Sequence, residues 1–224
     1  MKLSDFLYEL NHKAKLFNLK IVVIRNNEKL PYERTGNDID VIIKNDDIAT
    51  WLSIIKDVCK SNNLRVITRK RLFYCTKLYL PGVDGGLELD LNNRLEWRGV
   101  EFYSTSKLID NARPINDIIY TGEERENSYI TLHHSLLYGG FLNKKYQHIF
   151  EKLPSEENEW FINHLTKLVG KKSAHQLAAA IQKELILSKR QLNKIRIQAI
   201  KKSLINRPIY TTVNLLKSIY YDKR

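Results

Sequence analysis

The segment Gly36-Asn37-Asp38-Ile39-Asp40-Val41-Ile42-Ile43 decides the fold prediction, because acidic and aliphatic residues alternate along it. Side chains two positions apart in a strand lie on the same face of its sheet. Asp38 and Asp40 therefore share one face, and the aliphatic side chains between them share the other. The pattern predicts a strand with one acidic face and one face in the core.

The segment Leu87-Glu88-Leu89-Asp90-Leu91 repeats this alternation, with Glu88 and Asp90 on one face. If the two strands are neighbours, three or four carboxylates converge on one patch. Like charges at that distance repel, so the cluster needs a compensating cation. Mg²⁺ prefers carboxylate and phosphate oxygens and would supply that charge. The alternative interpretation is a half-exposed strand whose acidic face is simply solvated.

Further strands and helices are predicted around these two segments. The strand predictions are Lys20–Ile24, Asp38–Ile43, Leu64–Thr68, Leu72–Leu80, Leu87–Leu91 and a short strand within Trp97–Tyr103. The glycines between Pro81 and Gly86 predict a tight reversal between two of them. Helices are predicted at Leu3–Phe17 with Ser4 as N-cap, from a cap at Asp46 or Asp47 to about Lys60, and at Ser104–Asn111.

From Gly122 onward the strand pattern fades and helical spacing takes over. The predicted helices are Asn127–Tyr138, Lys144–Leu153, Glu156–Val169, Ala174–Ser188, Gln191–Asn206 and Val213–Tyr220. The fold class predicted from these patterns is α+β, with a mixed β-sheet and flanking helices followed by an all-helical C-terminal region. The predicted domains are residues 1–121 and residues 122–224.

Composition limits the class of protein. The chain has 224 residues, of which 43% are hydrophobic, enough for a core and against global disorder. No apolar run approaches the roughly 20 residues that span a bilayer, and the N-terminus lacks an apolar signal core. Cys59 and Cys75 have no metal-ligand spacing, so buried thiols in a reducing compartment are expected. A cytoplasmic location is predicted, with a peripheral position at the inner face of the membrane as the alternative.

The net charge of +12 is concentrated near the C-terminus. Residues 183–224 contain 11 lysine and arginine residues and 2 acidic residues. The pattern of segment Ser188–Tyr221 predicts a basic amphipathic helix. It is expected to bind an anionic membrane surface or polyphosphate, to bind RNA, or to pack on the domain with a solvated basic face.

The order of these motifs resembles the nucleotidyltransferase (polymerase β-like) superfamily, whose members have a strand, a phosphate-binding turn, a D-x-D strand and a third carboxylate on a later strand. Within it, the chain looks most like small bacterial proteins of polysaccharide-biosynthesis loci. The motifs that carry this resemblance are Val23-Ile24-Arg25-Asn26, Leu30-Pro31, Gly36-Asn37-Asp38-Ile39-Asp40, Asp90-Leu91, Trp97-Arg98-Gly99, and His134 with Tyr138-Gly139-Gly140.

The resemblance implies catalytic and metal-binding roles for Asp38, Asp40 and Asp90, with Mg²⁺ (or Mn²⁺) as the ion. It also implies that the NTP phosphates are held by Arg25, Asn26, Gly36 and Asn37. The expected reaction moves a nucleoside monophosphate from an NTP donor to a hydroxyl of a small-molecule or glycan-linked acceptor, in surface polysaccharide biosynthesis.

The phosphate-binding turn departs from that superfamily, because Arg25-Asn26 stands where Gly-Gly or Gly-Ser is usual. An arginine can replace the usual donors with a charged fork, or the nucleotide is bound differently or not at all. Two alternatives therefore stay open: a toxin-like nucleotidyltransferase that modifies RNA or protein, and a catalytically inactive binding module.

Several other side chains have two interpretations each. Lys77 and Arg71 either reach the acidic face or are ordinary surface cations. Trp97 and Tyr103 either stack on a base or sugar or belong to the core. His134 is a weaker candidate for a position beside the site.

Overall fold

The computed structural model describes residues 1–139, 146, 159–182 and 187–222. The chain divides into two compact units. The first contains residues 1–95 and 104–123, and the second contains residues 96–103 and 124–224. The predicted domain boundary after residue 121 stays a prediction.

The first unit contains a seven-stranded mixed sheet with the order β3-β4-β5-β2-β1-β9-β8. Its strands are β1 (Ile21–Val23), β2 (Asp38–Ile42), β3 (Ile67–Arg71), β4 (Cys75–Leu80), β5 (Leu87–Asn92), β8 (Arg113–Pro114) and β9 (Ile119–Thr121). Strand β2 runs parallel to β5 and antiparallel to β1, while β4 and β5 form the predicted antiparallel hairpin.

The parallel pairing of β2 with β5 places Asp38 opposite Glu88 and Asp40 opposite Asp90. Residues opposite each other on neighbouring strands project from the same face of a sheet. The predicted convergence of the two acidic segments is therefore confirmed. The aliphatic residues that alternate with these acids, Ile39 and Val41 of β2 and the three leucines of β5, lie on the other face and are buried.

Three helices belong to this unit: α1 (Leu3–Lys15), α2 (Ile48–Ser61) and α3 (Thr105–Asn111). Helices α1 and α2 share one core with the aliphatic face of the sheet, in which Phe6, Trp51 and Leu89 are at most 2% exposed. Burying a side chain of this size stabilises a fold by about 1.5–3 kcal/mol. Both cysteines are buried, as predicted.

The predicted N-cap of α1 is wrong. The helix begins at Leu3, so Ser4 lies inside its first turn and Lys2 occupies the cap position without a side-chain hydrogen bond. Just before this helix, the Met1 ammonium group donates to Gly82 O at 3.0 Å. Asp47 does precede α2, but its side chain makes no cap hydrogen bond.

The described residues of the second unit form helices and a two-stranded hairpin, β6 (Leu95–Trp97) and β7 (Val100–Tyr103). The predicted single strand within Trp97–Tyr103 is thus two strands. They reverse at Arg98 and Gly99, whose φ angles are +49° and +80°. Two consecutive positive φ angles are typical of the two-residue turns that join twisted strands.

The described helices of this unit are α4 (Glu124–His133), α5 (Glu159–Val169), α6 (Lys171–Gln182), α7 (Lys189–Asn206) and α8 (Pro208–Asp222). Residues His134–Gly139 continue α4 as a π-helix. The predicted helix Lys144–Leu153, except for residue 146, lies outside the described residues, as do parts of Glu156–Val169 and Ala174–Ser188. The α+β fold class with a helical C-terminal region is confirmed. None of the described helices combines the length and the apolar composition of a membrane-spanning segment.

Candidate metal centre

Three carboxylates meet on the outer face of the sheet in the first unit. Asp38 and Asp40 come from β2 and Asp90 comes from β5, and each offers an oxygen within 4.8 Å of the others. Asp90 is buried and Asp38 is the most exposed of the three. The alternation of strand side chains explains the cluster, because the acids alternate with aliphatic residues that anchor each strand in the core.

Arg25 holds the central carboxylate. Its Nη2 and Nε atoms donate to Asp40 Oδ2 at 2.6 Å and 3.0 Å. Asn92 Nδ2 donates to the other oxygen, Asp40 Oδ1, at 3.1 Å. Only 8% of the Arg25 side chain and 12% of the Asp40 side chain are exposed, so water screens this ion pair little.

Lys77 holds the buried carboxylate. It lies opposite Asp90 on β4, and its ammonium group donates to Asp90 Oδ2. Burial raises the pKa of Asp90 above its usual value, although the hydrogen bond from Lys77 acts in the opposite direction. Of the two interpretations of Lys77, the one that places it on the acidic face is confirmed.

Asp38 is the carboxylate that stays available. Among the described residues, it makes no hydrogen bond or ion pair. Three carboxylates and two cations leave one formal negative charge on the face. A set of hard oxygen donors with a net negative charge suits Mg²⁺ or Mn²⁺, so the residues present fit the ion that the resemblance implies.

Glu88 stands apart from the cluster although it lies opposite Asp38 in the sheet. Its carboxylate pairs with Arg69, whose guanidinium lies 4.0 Å from the centre of the Tyr79 ring. The structure therefore places Glu88 in a surface ion pair beside the three aspartates. Such exposed pairs contribute little to stability.

The predicted phosphate-binding residues lie around the cluster, and their role stays a prediction. Asn26 follows Arg25 with a φ angle of +54°, a conformation that asparagine tolerates better than most residues. Gly36 and Asn37 precede Asp38. Arg34 Nη1 fixes that approach by donating to Asn37 O at 3.1 Å and to Gly86 O at 2.7 Å.

Sequence reasoning missed the contributions of Asn92 and Arg34. Asn92 lies two residues after Asp90 on β5, so strand alternation already places it on the acidic face. That signal was present in the sequence. Arg34 acts on backbone carbonyls of the β4–β5 turn, which are distant in the chain, and no local pattern indicates such a contact.

The aromatic candidates belong to the core of the second unit. Trp97 and Tyr103 are buried, and the Tyr103 hydroxyl donates to the Glu126 carboxylate. The stacking interpretation is therefore wrong for both residues, since a buried ring offers no face to a ligand. His134 stacks on Tyr138 with 4.8 Å between the ring centres.

Comparisons with known proteins add little to this geometry. No protein-family model and no curated protein matches the chain. JHP933 from Helicobacter pylori shares 9% identity over 96% of each chain, with a TM-score of 0.39. A candidate nucleotidyltransferase from H. pylori shares 9% identity over 92% of this chain and 95% of its own, with a TM-score of 0.36. With TM-scores below 0.5, neither similarity assigns a function to this chain.

Proposed function

We propose that the protein is a metal-dependent nucleotidyltransferase. The observation that carries this proposal is the cluster of Asp38, Asp40 and Asp90, whose carboxylate oxygens lie within 4.8 Å of one another on one sheet face. A bound divalent ion would supply positive charge to the phosphate oxygens of an NTP. The three aspartates would hold that ion, and the motif order that resembles the polymerase β-like superfamily supports the same assignment.

The reaction is a phosphoryl-type transfer. An acceptor hydroxyl oxygen bonds to the α-phosphorus of the NTP, the bond from that phosphorus to the bridging oxygen breaks, and pyrophosphate leaves. The hydroxyl proton passes to Asp90 or, through it, to water. Catalysis of this kind depends mostly on positioning and on neutralising phosphate charge.

Arg25 and Lys77 have a definite part in this proposal. Both cations lie on carboxylates that would bind the metal, so metal binding competes with the two ion pairs. A cation displaced from a carboxylate can turn to an NTP phosphate oxygen, which arginine binds as a planar fork. Arg25 would then take the place of the usual Gly-Ser turn.

The acceptor is proposed as a hydroxyl of a small molecule or glycan-linked compound of surface polysaccharide biosynthesis, in the cytoplasm. This part rests on the resemblance of the motifs between residues 20 and 150. Modification of RNA or protein remains the alternative within the same chemistry.

A second candidate function is a metal-free binding module. The observation that favours it is the pairing of Asp40 with Arg25 and of Asp90 with Lys77, which neutralises two carboxylates with side chains of the chain itself. A protein without a metal requires that kind of internal compensation.

Metal and nucleotide binding by defined variants separate the two candidates. Isothermal titration with Mn²⁺, with and without each NTP, is compared for the native protein, Asp38→Asn, Asp90→Asn and the matched control Glu88→Gln. Glu88 occupies the same face of β5 but lies outside the cluster. We expect the aspartate variants to lose metal affinity at least about tenfold and the control to keep it.

Turnover completes the test. Pyrophosphate release that requires Mn²⁺ and one NTP, and that is lost in Asp38→Asn, supports the transferase. NTP binding that does not depend on Mn²⁺, with no pyrophosphate release under any acceptor mixture, supports the metal-free module. Equal metal affinity in all four proteins contradicts the metal centre itself.

A further inference from the structure

The last described helix, α8, buries polar side chains and exposes apolar ones, which is the reverse of an ordinary surface helix. Its buried side chains include Thr211, Asn214 and Ser218, none more than 5% exposed. Its exposed side chains, spaced by four, three and four residues, include Ile209, Val213, Leu216 and Tyr220. We call these four residues the apolar stripe. A helix on a globular core usually buries its apolar face.

Contacts to a buried carboxylate set the rotation of α8. Glu96 of β6 is 2% exposed. The Tyr210 hydroxyl donates to Glu96 Oε2 at 2.6 Å, and Asn214 Nδ2 donates to the same oxygen at 3.2 Å. Rotating the apolar stripe inward would remove these donors from a buried carboxylate, which is strongly unfavourable.

The turn of the β6–β7 hairpin also fixes the rotation of α8 about its axis. A Cβ atom at Gly99 would lie 2.4 Å from Thr211 O, so the backbones of the turn and of α8 are in close contact. Ser203 Oγ donates to Gly99 O at 3.0 Å, which ties α7 to the same turn. The outward direction of the apolar stripe is therefore imposed by packing and polar contacts within the second unit.

The helical spacing of the stripe places its four side chains next to one another on one side of α8, and these side chains are strongly exposed. Ile209 is 80% exposed and Leu216 is 62% exposed. Ile205, in the last turn of α7, is also exposed. Contiguous apolar surface of this kind marks an interaction site more often than a solvated face.

Cations accompany the aliphatic residues. The exposed face of α7 combines Lys194, Ile197, Lys201 and Ile205, at spacings of three, four and four residues. Residues 183–224 carry 11 lysine and arginine residues against 2 acidic ones. The partner of this surface must therefore be both anionic and able to accept aliphatic side chains.

This requirement separates three occupants. A second copy of the chain would bring an equally positive surface, and like charges would repel. RNA offers phosphates to the lysines but no apolar phase for isoleucine, valine and leucine. An anionic bilayer offers phosphate headgroups above acyl chains, and it satisfies both kinds of side chain.

We propose that α7 and α8 bind the surface of an anionic lipid bilayer. The apolar stripe enters the boundary between headgroups and acyl chains, and Lys194 and Lys201 lie at the phosphates. Neither contact uses the carboxylate cluster, so the inference does not depend on the proposed transferase activity.

Flotation of the full chain with vesicles tests the inference. The vesicles contain phosphatidylcholine alone or mixed with phosphatidylglycerol. We expect binding to the anionic vesicles only, weakened by salt. Ile209→Ser with Leu216→Ser should weaken partitioning by at least about tenfold, since both lose aliphatic surface. Leu16→Ser, at the residue directly after α1, is the matched control, because Leu16 is 74% exposed and lies in the other unit.

A second variant tests the contribution of the lysines to vesicle binding, and separate measurements test a second copy of the chain and RNA as partners. Lys194→Gln with Lys201→Gln should weaken binding by about tenfold. Equal binding of the stripe variant and the native protein overturns the inference, as does absence of binding to anionic vesicles. A dimer in sedimentation velocity that the stripe variant abolishes would identify a second copy instead, and RNA binding that it abolishes would identify RNA.

Discussion

Strand β2 and helix α8 distribute polar and apolar side chains in opposite ways. Strand β2 buries Ile39 and Val41 and directs its aspartates outward. Helix α8 buries threonine, asparagine and serine and directs isoleucine and leucine outward. The difference shows that amphipathic pattern alone does not set which face of an element is buried. The partner decides: an aliphatic core for β2, and a buried carboxylate, Glu96, for α8.

The two regions also satisfy buried polar groups by different means. Asp40 and Asp90 are paired with the cations Arg25 and Lys77. Glu96 in the second unit receives hydrogen bonds from a hydroxyl and an amide. Removing one partner of a buried ion pair leaves a buried charge without compensation, whereas removing one neutral donor from a carboxylate costs a single hydrogen bond. Variants in each region should therefore respond differently.

Arg25→Met should give the largest loss of stability. It leaves Asp40 buried without its cation and next to two other carboxylates, which costs about 3–5 kcal/mol of unfolding free energy in urea denaturation. Mn²⁺ should restore part of that loss. The matched control is Lys29→Met, whose exposed pair with Glu33 is worth at most about 0.5 kcal/mol. Equal losses in the two variants would contradict the buried pair.

Protonation should destabilise the second unit through His133. Burial lowers the pKa of His133 to about 4, against about 6.5 in an unfolded chain. Between those values the unfolded chain binds a proton that the folded chain does not, so stability falls as pH drops through this window, by about 3 kcal/mol.

The measurement for His133 is the unfolding free energy at several pH values, compared with His133→Phe. Phenylalanine keeps a ring against Phe102, which stacks on His133 at 5.9 Å, and removes the titration. The native protein should lose more stability than the variant between about pH 6.5 and pH 4. Parallel pH profiles would show that His133 is not held neutral.

Gly99→Ala should disturb α8 through backbone contact. The new methyl group would meet Thr211 O at 2.4 Å, and the positive φ angle adds a strain of about 1–2 kcal/mol. Gly85→Ala is the matched control, because Gly85 has φ +73° and nothing within 4 Å of the added atom. The thermal midpoint should fall further in Gly99→Ala. Equal midpoints would mean that the turn and α8 are not in contact.

The smallest expected loss of stability comes from variants that test whether α8 buries its polar face. Asn214→Ala removes a buried donor to Glu96 and should cost about 1–2 kcal/mol. Leu216→Ala, on the exposed face, should change stability by no more than about 0.5 kcal/mol. Urea denaturation of both variants measures the difference. A larger loss for Leu216→Ala would show that α8 has the ordinary orientation.

Local pattern predicted much of the fold and part of the site. The alternation in β2 and β5 located both strands and the three aspartates. The glycines between Pro81 and Gly86 correctly predicted the hairpin that joins β4 to β5. The pattern could not show that Arg25 forms an ion pair with Asp40, because that contact depends on the loop that follows β1. Ser4 was wrong as a cap, because the helix begins at Leu3 and Lys2 occupies the cap position.

Alternation along a strand, the shared face of the acids and the accumulation of positive charge all follow from neighbouring positions in the chain, so they can be predicted from the amino-acid sequence. The pairing of β2 with β5, the two ion pairs on the carboxylates and the outward direction of the aliphatic side chains of α8 follow from the folded structure alone. Burial and ion pairing depend on which distant groups come together. A buried carboxylate can draw the polar face of a helix inward, and no pattern within the helix records that carboxylate.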